Sequence, residues 1–107
     1  MKTDTVILNT CLEMLIAFGP TLGMPLEPRI KERYNGLTQS EIKSIAKTCD
    51  KARTSAYKFV NDRAALILSS PQNLRTQFEQ YMKSQFDWMD AQNISHLYSQ
   101  SCYIVMK

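Results

Sequence analysis

Few side chains in this sequence can do chemistry, and those few stand apart. His96 is the only histidine. Cys102 follows six residues later, a spacing that turns the two side chains well apart on a helix and serves a shared metal poorly. Asp87 and Asp90 lie one helical turn apart, close enough to share a hard cation, but no E-x-x-H partner accompanies them. A helix cap is the better use of Asp90. Cys49 has the cationic neighbours, Lys47 and Lys51, that can activate a thiolate. It also falls on an apolar face, where a small buried thiol simply packs. No glycine-rich phosphate loop, G-x-S-x-G or H-E-x-x-H is present. The expectation is a protein that is not an enzyme and holds no cofactor or metal.

Two other groups of residues point to binding. Lys43, Lys47 and Lys51 recur at i+4 steps with Lys58 near the same line, and Arg29, Lys31 and Arg33 precede them. Such a row of cations can neutralise phosphates, or it can be the solvated face that any helix presents opposite its apolar seam. Glu41 and Asp50 weaken its field, and no short turn pairs two helices as in a helix-turn-helix. The other group is a C-terminal set of large adaptable side chains, among them Tyr81, Trp88, Met89, Tyr98 and Tyr103. Residues of these types are enriched at protein interfaces, although they also roof cores.

The elements that must position these residues are helices. Thr38 and Glu41 form a capping-box pattern, and Leu37 with Ile42 can staple the same turn. Ile42, Ile45, Cys49, Ala52, Ala56 and Phe59 then recur at alternating steps of three and four. With no Gly or Pro between Leu37 and Pro71, the spacing predicts one helix over 38–69. A second long helix starts at Pro71, with Ser70 as its cap, and carries Leu74, Phe78, Tyr81, Met82, Phe86 and Met89 on one arc to about residue 90. Beyond it the apolar phase jumps at Ile94, Leu97, Tyr98 and Val105. The helix therefore either breaks near 90–93, with Asp90 or Asn93 recapping it, or continues to about 105 under the cover of a second subunit.

Before these lies an apolar helix from Thr3 or Asp4 to Phe18, stopped by Gly19-Pro20, with Thr5, Asn9 and Glu13 as its one polar stripe. A helix so apolar must be covered on several sides, by the bundle or by another copy. The proline-rich stretch 19–28 reads as an extended linker, and Pro28 suits the first position of a short helix over 29–34. A short joint between helices gives antiparallel neighbours, so the two long helices are expected to form an antiparallel hairpin within a single all-α helical bundle spanning 1–107.

Composition agrees. With 44% hydrophobic and 21% charged residues the chain is ordinary for a globular domain, and three glycines with four prolines favour few long elements. The net charge of +3 is uneven: residues 28–63 hold nine Lys and Arg against four acidic residues. Three scattered cysteines, Cys11, Cys49 and Cys102, read as free buried thiols in a reducing compartment. The apolar run from Val6 to Phe18 lacks a cleavage site and is too short for a span of roughly 20 residues. A cytoplasmic protein off the membrane is expected. Its expected work is protein–protein interaction, most simply with self-association as a homodimer; the alternative is a nucleic-acid-binding module using the basic face of 29–58.

Overall fold

The computed structural model describes residues 5–16 and 25–106. These build α1 (Thr5–Ile16), α2 (Leu26–Arg33), α3 (Gln39–Asp62), α4 (Leu66–Ser69), α5 (Pro71–Gln85) and α6 (Ala91–Met106), with no strand among them. The protein is an all-α bundle.

α3 begins where its capping box demands. Thr38 Oγ1 accepts from the Glu41 amide at 3.1 Å, and Glu41 Oε1 accepts from the Thr38 amide at 3.0 Å. Two of the four amides that a helix start leaves without partners are thereby satisfied. The six seam residues from Ile42 to Phe59 are all buried.

The helix stops at Asp62, however, and not at residue 69. The alternating series after Phe59 would place its next apolar residue at 63, and that residue is Arg63. Its guanidinium lies 3.8 Å from the Phe59 ring centroid and Nη1 donates to the Phe59 carbonyl at 3.3 Å. That carbonyl is the acceptor the Arg63 amide would use in a continuing helix. The amide turns instead to Val60, and shorter i→i+3 bonds carry the chain through 63–67. α4 follows with no buried residue, so the proline joint is a short helical detour and not a direct hairpin.

α5 starts with Pro71 in its first turn, and Ser70 precedes it without a side-chain capping bond. Of the two courses open beyond Met89 the chain takes the break, but earlier than the spacing placed it: α5 ends at Gln85 and not near residue 90. Residues 86–90 are non-helical, and Asp90 Oδ1 accepts from the Asn93 amide at 2.8 Å to restart the chain as α6. The break turns Ile94 and Leu97 into the core of the same molecule.

α2 differs from expectation in register. It starts at Leu26, which places Pro28 third in the helix. First-turn amides have no intrahelical acceptor, so the proline forfeits no bond there. Leu26 and Ile30, one turn apart and buried, anchor the helix. The anticipated stop of α1 at Gly19-Pro20 and most of the linker lie outside the described residues.

α1 and α6 run parallel. Asn93 reaches Asn9 and Gln100 reaches Ile16, both pairs 84 residues apart in sequence and two helical turns apart in space. Leu8, Cys11, Leu12, Leu15 and Ile16 are buried against α3, α6 and α2. Most of α1's apolar girth is thus covered by its own chain.

Candidate functional site

Of the five large apolar side chains exposed among the described residues, Tyr103, Ile104 and Met106 lie together on α6, while Val6 on α1 and Leu68 on α4 stand singly. Along the core-facing stripe of α6 exposure is 2% at Ile94, 0% at Leu97 and 0% at Ser101, then 42% at Ile104. The stripe outruns its cover by one turn. Gln100 marks the level at which cover ends, donating through Nε2 to the Ile16 carbonyl at 2.6 Å while Oε1 accepts from the Tyr57 hydroxyl at 2.9 Å. Ile16 is the last described residue of α1, and Gln100 supplies a donor to its carbonyl. Burial raises the Tyr57 phenol's pKa. Past Gln100, Tyr103 and Met106 are exposed and Val105 is half-buried. Ile104 and Val105 form one wall of an open groove whose other wall is α3, through Thr54, Tyr57, Lys58 and Asn61.

The five aromatic and methionine candidates do not form one patch. Met89 is buried. Tyr81 stacks on Phe59 with ring centroids 4.7 Å apart, and Trp88 meets Phe86 edge to face. Tyr98 packs edge-on against Phe78, lies beside the Arg75 guanidinium and donates to the Pro71 carbonyl at 3.1 Å. Burial, reinforced by Cys102 beside it, pushes the Tyr98 phenol to about 12. Those four roof the core; Tyr103 alone of the five stands exposed, at the end of α6.

The seven cations also separate. Lys43, Lys47, Lys51 and Lys58 are exposed along α3, within an arc of about 80° opposite the seam and over roughly 22 Å. None of them forms an ion pair among the described residues, where the bridges are Arg53–Asp50 and Arg75–Glu79. Arg29 is spent on the fold: Nη2 donates to the Met14 carbonyl at 2.6 Å, a cation at the negative end of α1. Arg33 lies over the Tyr34 ring, and Lys31 is exposed on α2. Lys43 and Lys47 also edge a cavity of about 660 Å³ floored by Leu15, Leu26 and Ala46.

Cys49 is not an activated thiolate. Burial pushes it to about 12, with Cys11 and Asp50 adding to the rise, and its Sγ donates weakly to the Leu8 carbonyl at 3.7 Å. Cys11 rises to about 11 for the same reason, burial, partly offset by Arg33. All three cysteines are free thiols. No cluster of His, Cys, Asp and Glu able to hold a metal occurs among the described residues, and Asp90 is engaged as a cap. His96 lines a shallow apolar cleft on α6 with Ser99 and Tyr103. No described helix is long and apolar enough to cross a membrane.

Sequence reasoning overlooked two things. Ile104 and Met106 carry the exposed end of α6; the signal was the core phase of Ile94 and Leu97 continuing to Ile104 at the edge of the bundle. Asn9, read as part of the one polar stripe of α1, is the hub of the α5–α6 junction. Its Nδ2 donates to the Trp88 carbonyl at 2.8 Å, and its Oδ1 accepts from the Asp90 amide at 2.9 Å and from Asn93 Nδ2 at 3.0 Å. Comparison of the chain with protein-family models, with curated proteins and with solved structures finds no match.

Proposed function

We propose that this is a small non-catalytic helical protein that acts by binding another protein at the exposed end of α6 and the flank of α3 beside it. The observation that carries the reading is Ile104, a side chain on the core azimuth of α6 that is 42% exposed where its predecessors are fully enclosed. Apolar area of this kind gains about 25 cal/mol per Å² when a partner removes it from water. On α1 only Val6 among the apolar side chains is exposed, so that helix gives a second copy little to cover.

A photo-crosslinking amino acid at position 104, compared with one at exposed position 76 on α5, tests this in the native host. A discrete protein adduct from 104 that is absent from 76 supports the reading, and adduct mass separates a second copy from another protein. Equal labelling from both positions, or none from either, overturns it. The second reading, nucleic-acid binding along Lys43, Lys47, Lys51 and Lys58, draws on the absence of ion pairs to that row among the described residues. It requires binding that falls steeply with salt.

A further inference from the structure

Resting on that reading, we propose that the groove between the C-terminal half of α3 and the end of α6 receives an amphipathic helix with an acidic flank, contributed by another protein. The α3 wall is Thr54, Tyr57, Lys58 and Asn61, at the i, i+3, i+4, i+7 spacing of one helical face. Ile104 and Val105 oppose it, and the space between holds about 470 Å³. Two packed helices present such a furrow to the side-chain ridge of a third, which is how helix-in-groove recognition works.

Charge selects the occupant. Along the same side of α3, Lys58, Lys51 and Lys47 follow one another at intervals of about 10 and 6 Å, each exposed and without an ion pair among the described residues. A helix lying in the furrow sets its apolar face on Ile104, Val105 and the Tyr57 ring, and its carboxylates toward those lysines. A second copy suits the site poorly, because residues 28–63 carry nine cations against four acidic residues and a two-fold contact sets like charges together. A nucleic acid suits it poorly too. Its phosphates have no use for Ile104 and Val105, and Tyr57 is tied to Gln100 and is not free to stack on a base.

The test uses the whole protein, labelled for amide NMR, and a synthetic helical peptide with leucines at i, i+3, i+4 and i+7 and glutamates on one flank. A peptide with lysines in place of the glutamates and a short DNA duplex are the comparisons. Expected are shifts at Thr54, Tyr57, Lys58, Asn61, Ile104 and Val105 with the acidic peptide. Its affinity falls with added salt, at least about tenfold with Ile104→Asp, and about tenfold with Lys51→Glu combined with Lys58→Glu. Lys51 and Lys58 are exposed and in no ion pair among the described residues, so that double variant is expected to keep its fold. No binding, shifts elsewhere, equal binding of the lysine peptide, or tighter binding of the duplex at these residues overturns the proposal. If the peptide fails while a crosslinker at 104 still captures a protein, the binding end stands and only the acidic partner is wrong; failure of both removes the binding end as well.

Discussion

Replacing Asn9 by Ala removes three hydrogen bonds that cross from α1 to the α5–α6 junction: to the Trp88 carbonyl, from the Asp90 amide and from Asn93 Nδ2. Asn93 Nδ2 keeps the Asn9 carbonyl as acceptor, so its loss is partial. A typical bond is worth about 0.5–1.5 kcal/mol net, and more when a buried partner is left unpaired. The junction is only partly buried, which puts the total at roughly 2–3 kcal/mol. For a domain near this size each kcal/mol moves the midpoint by about 4–8 °C, so Tm should fall by roughly 10–20 °C. Urea unfolding followed by circular dichroism gives the free energy, and Trp88 fluorescence reports the junction itself. Asn9→Asp keeps the acceptor but loses the donor, and should fall between wild type and Asn9→Ala. Glu13→Ala, one turn further along the same polar stripe and exposed, is the control and should stay within about 0.5 kcal/mol. If Asn9→Ala costs no more than Glu13→Ala, the hub is not a hub.

Gln100→Ala should cost roughly 2–3 kcal/mol in the same assay, since it strips the Ile16 carbonyl and the Tyr57 hydroxyl of partners and leaves a gap; a cost under about 0.5 kcal/mol would contradict this. Ser101 Oγ is buried with no hydrogen-bond partner among the described residues, so Ser101→Ala should be neutral or stabilising by up to about 1 kcal/mol, and a clear loss would mean that the hydroxyl is bonded. Thr38→Ala should cost about 1 kcal/mol by opening the capping box. A thiol reagent should label Cys102 promptly in the folded protein and all three cysteines in denaturant. Folding lifts the Cys11 and Cys49 pKa values from 9.0 to about 11 and about 12, so the folded chain holds protons that the unfolded chain releases. Their stabilising contribution is whole below pH 9 and declines as pH rises toward 11 and 12; a urea midpoint that stays flat across that window would refute it.

The helical architecture was legible because its signals are local. Thr38 and Glu41 announce the start of α3, and a seam at steps of three and four needs no tertiary knowledge. The jump in phase after Met89 signalled the break that Asp90 recaps, though placing it a few residues late, since α5 already ends at Gln85. The end of α3 was legible too, in the arginine at seam position 63, but absence of Gly and Pro is a weaker guide than loss of the seam. Pro28 misled because a proline is tolerated anywhere in the first turn, and burial of Leu26 and Ile30 set the register. The candidate site was less legible. Exposure of Ile104 depends on where neighbouring helices end, and the division of labour among cations depends on which carbonyl Arg29 can reach. Asn9 had the period of a surface residue, and only the parallel alignment of α1 with α6 turns it toward polar backbone.

We propose that the end of α6 is a binding surface and not a loosely finished core. Co-purification of Ile104→Asp with proteins of its native host, set beside the wild type, tests it most directly when the Tm of both is recorded. A protein captured by the wild type should be lost from the variant while Tm stays within a few degrees, because Ile104 is already 42% exposed. Capture undiminished by the aspartate would contradict it, and so would a variant that unfolds, which would show the side chain to be part of the core.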